Sequence, residues 1–227
     1  MTFDHSESYK GYGIRALGHR NRLKAILKEV NLLGVPEGGS YCDLGCSNGY
    51  ITDQIRKRLH LQTTGLDHKF EHLHTGRERY PEIKFEEVDL NKQNIDAKKF
   101  DLVTCFETLE HVGNLENAVQ NIVSRIALGG RALVTVPIEH GTRGVLKYCL
   151  KKIIFRYSAA ELNLSEGQYF RTLISGRRIS EARPEASGYG THFGFDYRDV
   201  DDLLIRSGAN FSASNQGMTR FYRIQSS

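Results

Sequence analysis

No apolar run in the sequence approaches the roughly 18 residues that a membrane-spanning helix needs. The opening stretch MTFDHSESYKGYG also lacks the apolar core of a secretory signal. The expectation is a cytoplasmic protein without a transmembrane segment, limited to peripheral contact with a membrane. The four cysteines, Cys42, Cys46, Cys105 and Cys149, form no CxxC pair, and two of them fall in or beside apolar runs where a thiol behaves as a small hydrophobe. Neither a disulfide framework nor a structural zinc site is indicated. Internal repeats and low-complexity linkers are absent too, and 227 residues suffice for one well-cored domain and are short for two, so a single domain over residues 1–227 is expected.

Hydrophobic residues make up 39% of the chain and charged residues 26%, enough apolar material to bury a core. The formal net charge of +4 hides an asymmetry. Residues 141–183 carry nine Lys or Arg against three Glu, a local +6, which leaves the rest of the chain at −2.

Apolar residues at Ile14, Leu17, Leu23, Ile26, Leu27 and Val30 recur at helical spacing, and Gly34 and Pro36 follow, so an N-terminal helix is expected over 14–33. Short β-rich runs then alternate with helical ones: SYCDLG, a helix over 51–59, TTGLD, a helix over 70–80, IKFEEVDL, FDLVTCFE, a helix over 115–128, and ALVTVPI. Such alternation argues for a parallel sheet with helices on both faces. Residues 139–191 break the rhythm and read as an insertion, with helical patterns over 145–155 and 166–173 and the glycine-rich piece SGYGTHFG. A helix over 195–207, capped by Asp196 and followed by Gly208, precedes two runs, NFSASN and TRFYRI, that could close the sheet as a hairpin.

The strongest motif is YCDLGCSNGY at residues 41–50, a strand entering a turn of small residues that opens a helix. Small residues let a ligand approach the backbone at the carboxyl end of a strand. The spacing Gly45-x-Ser47-x-Gly49 differs from the GxGxxG that cradles a pyrophosphate, and the acidic Asp43 beside it suits a cationic ligand better than a phosphate. A nicotinamide oxidoreductase is disfavoured on both counts.

Here the chain resembles the class I methyltransferases that depend on S-adenosylmethionine (SAM), with Ser47 in place of the family's middle glycine. The resemblance implies a three-layer Rossmann-like α/β sandwich, a mostly parallel seven-stranded sheet with a C-terminal antiparallel hairpin. It implies that Asp43, Gly45, Ser47 and Gly49 meet the amino acid end and sulfonium of SAM. Asp67 would bind the ribose hydroxyls. Asp89 and Leu90 would read the adenine edge, and Phe106, opening FETLEHV, would floor the methyl-donor pocket. With LGGRALVTVP, the resemblance covers about residues 39–137. The product would be S-adenosylhomocysteine (SAH).

Methyl transfer to oxygen or nitrogen also requires removal of a proton, and His111, His140 and His192 are the candidate bases. Glu107, Glu110, His111 and His192 form a candidate site for Mg²⁺ or a similar ion. Similar ExxEH clusters bind metal in quinone-biosynthesis O-methyltransferases and small-RNA 2′-O-methyltransferases. The basic insertion should select the acceptor, a small molecule or glycan precursor carrying negative charge, with RNA less favoured because aromatic residues are sparse among the cations. No NPPY- or DPPY-like run follows the fourth strand, which favours oxygen over nitrogen. Rival readings are a metal-dependent RNA 2′-O-methyltransferase and a SAM-binding regulatory subunit without activity. Oligomeric state is left open.

Overall fold

The computed structural model describes residues 14–93, 97–155, 164–183, 189–190 and 194–226. Helix α1 (Ile14–Leu32) leads into strand β1 (Ser40–Leu44), helix α2 (Tyr50–Leu59), strand β2 (Gln62–Asp67), helix α3 (Phe70–Arg79) and strand β3 (Lys84–Glu87). Strand β4 (Phe100–Phe106), helix α4 (Leu115–Val123) and strand β5 (Ile126–Pro137) follow. Helices α5 (Gly141–Phe155), α6 (Glu166–Ile174) and α7 (Tyr197–Arg206) then precede the hairpin of β6 (Asn210–Gln216) and β7 (Thr219–Gln225).

The seven strands form one sheet in the order β3-β2-β1-β4-β5-β7-β6. Strands β1 to β5 pair in parallel, and β7 runs antiparallel to both β5 and β6. Chain order runs outward from β1 in one direction and from β4 in the other, so a crevice opens between β1 and β4 at their carboxyl ends, the switch point of an open α/β sheet.

Alternation along the central strands builds a core on each face. Tyr41 of β1, Leu102 of β4, Leu133 of β5 and Phe221 of β7 pack with Ile26 and Val30 of α1 and Ile55 of α2. Their sequence neighbours Cys42, Val103, Val134 and Tyr222 point the other way, onto Val119 and Ile122 of α4 and Leu203 and Leu204 of α7. All four cysteines are free thiols. Among the described residues, no helix is long and apolar enough to cross a membrane.

The expected helix over 115–128 is too long. It ends at Val123, and β5 begins at Ile126. Leu128, which fits the helical apolar pattern, is 85% exposed on the strand instead. Asp196 caps α7 as expected, accepting from the Arg198 N–H at 3.1 Å.

Within residues 139–191, α5 and α6 pack through Tyr148, Tyr169 and Leu173 with Ile179. A capping box between Ser165 and Gln168 starts α6. Much of SGYGTHFG lies outside the described residues. Part of the segment's positive charge is used inside the fold: Lys147 pairs with Glu139 at 2.5 Å, Arg178 with Asp199 and Asp202 at 2.5 and 2.7 Å, and Arg183 donates to the Glu110 carbonyl at 2.6 Å. Arg143, Arg171 and Arg177 stay exposed.

Candidate functional site

The turn after β1 is held by its neighbours. Gly45 and Cys46 donate their N–H groups to the Leu66 carbonyl at 2.7 and 3.0 Å, and the Ser47 N–H donates to Asp67 Oδ2 at 2.8 Å. Asp67, 7% exposed at the end of β2, also accepts from the Lys69 N–H at 2.9 Å. Gly45 has φ +76°, and a Cβ there would lie 2.3 Å from Thr108 Oγ1, so only glycine fits.

The Asp43 carboxylate is buried and turned away from this turn. It accepts from Thr52 Oγ1 at 2.5 Å and from Thr104 Oγ1 at 2.7 Å, joining β1 to α2 and β4. Burial raises its pKa to about 6, against the lowering effect of both hydroxyls.

Gly45, Ser47, Asp67 and Leu90 line one cavity of about 530 Å³ at the switch point, together with His68, His72, Glu107, Thr108, His111 and Tyr189. Motif residues from four separate stretches of chain therefore meet in one cleft. Gly49 packs behind it, where a Cβ would strike the Phe85 ring at 2.6 Å. The Asp89 carboxylate accepts from the Asn91 N–H and side-chain amide, both at 3.0 Å. Phe106 packs on the α1 side of the sheet.

Sequence reasoning did not find His68, His72 or Tyr189 in this cleft, while Thr108 lies in the FETLEHV stretch expected there. His68 and Lys69 follow a strand-ending acid, the one local hint available. Nothing in the sequence around Tyr189 signals its position, because its contacts are all tertiary.

Glu107 is the unusual residue of the site. It takes a left-handed φ of +49° although it is not glycine, a conformation that costs about 1 kcal/mol or more and is held only by surrounding structure. Its Oε2 accepts from Arg22 Nη1 at 2.6 Å, while its Oε1 is buried without a partner. It also lines a second cavity of about 530 Å³, formed by Arg22 and Ala25 of α1, Pro137, Lys147, Met218 and Phe221. One residue thus lines two cavities, each of a size suited to a small molecule.

The candidate bases do not converge. His111 Nδ1 lies 2.9 Å from the Gly190 carbonyl. A carbonyl only accepts, so Nδ1 is the donor of this bond. His140 lines neither cavity, its Nε2 is buried without a partner, and burial with Arg198 nearby lowers its pKa. His192 lies outside the described residues.

Glu110 is buried, with Oε2 unpartnered, and burial and the adjacent Glu107 push its pKa well above the usual carboxylate range. Among the described residues, no group of three or more His, Cys, Asp or Glu side chains is placed to hold a metal ion. Glu107, Glu110 and His111 are not gathered into one donor set.

A family model described as a methyltransferase domain matches residues 17–171. The ubiquinone biosynthesis O-methyltransferase of Coxiella burnetii (strain Dugway 5J108-111) is 27% identical over 114 residues, 48% of this chain and 47% of that protein. The enzyme of the same name from Albidiferax ferrireducens is 29% identical over 110 residues, 46% of this chain and 43% of the relative. The chain thus spans about half the length of these curated relatives or less. Among solved structures, the magnesium protoporphyrin IX methyltransferase of Synechocystis PCC 6803 with bound SAH superposes with a TM-score of 0.64 at 14% identity, covering 98% of this chain and 92% of that one. The putative methyltransferase bound to the Haloferax volcanii Trm112 activator gives a TM-score of 0.61 at 13% identity, covering 100% and 99% of the two chains. The chain belongs to the methyltransferase domain family and has the Rossmann-like fold of the class I SAM-dependent methyltransferases.

Proposed function

We propose that this chain transfers a methyl group from SAM to an oxygen of a small-molecule or glycan-precursor acceptor. One observation carries the reading: the turn after β1, the end of β2, the stretch after β3 and the loop after β4 all contribute to a single cavity at the switch point. Its walls suit the cofactor. Gly45 lets the turn pack directly against Thr108, another residue of the cleft wall, Asp67 is a buried acceptor for a ribose diol, and the Leu90 N–H faces the cleft as a donor.

In this reading, Gly45, Ser47 and Gly49 shape the turn around the amino acid end, with Asp43 fixing that turn from behind. Asp67 takes the ribose, Asp89 and Leu90 the adenine edge, and Phe106 supports the floor. When bound, SAM supplies a methyl group made electrophilic by its sulfonium. The protein aligns the acceptor, excludes water and takes up its proton.

The acceptor would occupy the second cavity, across Glu107. Glu107 lines both cavities, and Arg22 holds its carboxylate in place. His111 Nε2 is the better placed histidine base, since His111 lines the cofactor cavity and His140 lines neither. Residues 139–191 contribute Lys147 to one cavity and Tyr189 to the other, which supports a role in acceptor selection. The exposed Arg143, Arg171 and Arg177 are the contacts it offers to an anionic group. The names of the curated relatives support oxygen as the methylated atom.

Calorimetric titration with SAM and SAH, with and without EDTA and with NADH as the control ligand, tests the cofactor. Radiolabelled methyl transfer to panels of hydroxylated small molecules and nucleotide sugars then tests the acceptor. Absence of SAM binding, or preference for NADH, sinks the reading.

A further inference from the structure

Tyr189 and Gly190 are fixed across the cofactor cavity by a set of specific contacts. The Tyr189 ring lies flat on the His68 imidazole, with centroids 3.6 Å apart and planes 6° from parallel. Its hydroxyl oxygen accepts a hydrogen bond from the Leu90 N–H at 2.8 Å. Gly190 N–H donates to the His111 carbonyl at 2.8 Å, and His111 Nδ1 donates back to the Gly190 carbonyl at 2.9 Å.

These are the features a bound nucleoside base would require. It would need a flat π-face to stack on, a backbone donor for a ring nitrogen, and a carboxylate nearby for the sugar, which here is Asp67, directly before His68 in sequence. The phenol meets the first two with its own ring and oxygen. On the cofactor reading above, we infer that Tyr189 holds the adenine seat and competes with the nucleoside of the cofactor for it.

The competition is steric and chemical at once. The Leu90 N–H is a single donor, and a ring at 3.6 Å fills the space over the His68 face. SAM binds only the fraction of molecules in which the phenol has left, so the apparent dissociation constant is the intrinsic one divided by that fraction. Tyr189 also belongs to the segment after β5, so cofactor arrival breaks a contact made by the part of the chain assigned to acceptor selection.

The sign of a mutational effect separates this role from that of an ordinary wall residue. Calorimetry with SAH and with adenosine on the parent protein, Tyr189→Ala and Tyr189→Phe provides the test. Tyr189→Ala is expected to tighten both ligands about tenfold, which corresponds to about 1.4 kcal/mol. Tyr189→Phe keeps the ring, loses the oxygen, and is expected to gain about threefold, half that free energy on the same conversion. Equal or weaker SAH binding by both variants overturns the inference and makes Tyr189 part of the cleft wall. No SAH binding by any of the three proteins overturns the cofactor reading along with it.

Discussion

Arg22 Nη1 donates to Glu107 Oε2 at 2.6 Å, joining helix α1, across 85 positions of sequence, to a residue that lines both cavities. Both side chains are partly exposed, at 24% and 20%, so solvent screens the pair and its worth falls below that of a buried charged hydrogen bond. Arg22→Met keeps the aliphatic stem and removes the guanidinium. It is expected to cost about 1 kcal/mol in urea unfolding. An unchanged midpoint would show that the pair is not held in solution.

Gly45→Ala should fail for two reasons at one position. The backbone has φ +76°, and the added methyl would lie 2.3 Å from Thr108 Oγ1. The expected result is destabilisation of about 2 kcal/mol or more together with loss of SAM binding. Gly208→Ala is the control, because φ is +69° but nothing lies within 4 Å of a Cβ there. It should show the backbone cost alone, with SAM affinity unchanged. Equal SAM affinity in both variants would remove the turn after β1 from the cofactor site.

Asp67→Ala takes away the acceptor for the Ser47 and Lys69 N–H groups as well as the proposed ribose contact. SAM binding is expected to weaken by about 1.5 to 3 kcal/mol, the scale of a charged hydrogen bond. Asp67→Asn, which retains one acceptor oxygen, should fall between the two. Calorimetry on the three proteins would reveal any departure from that order.

Asp43 makes a pH prediction with a definite sign. Its carboxyl titrates at about 6 in the folded chain, against an ordinary value of 3.8. Folding therefore takes up a proton between those two values, and this group's contribution to stability declines as pH rises from about 4 to above 6. Asp43→Asn cannot ionise and lacks that decline. The difference in unfolding free energy between Asp43→Asn and the parent should move in favour of the variant as pH rises through this window. A constant difference would place the Asp43 pKa in its ordinary range.

The parallel core was legible because short β-rich runs, ended by glycine or acid, alternate with helical ones. SYCDL, QTTGLD and FDLVTCF are all nearly continuous in burial. The end of α4 was not legible, since Ile126 and Leu128 satisfy a helical pattern as well as a strand. Within the site, Gly45, Ser47, Asp67 and Leu90 carried a local signature and do line the cleft. The left-handed backbone of Glu107 and the seat of Tyr189 depend on partners far away in sequence, and no local pattern encodes them.

Through Glu107 the two cavities would report on each other. The residue lines both, so a ligand that moves its side chain while occupying one cavity alters the free energy of filling the other. Such coupling is reciprocal: whatever factor an acceptor imposes on cofactor affinity, the cofactor must impose on acceptor affinity. An unknown acceptor can therefore be sought without any turnover, by screening compounds for those that change the dissociation constant of SAH.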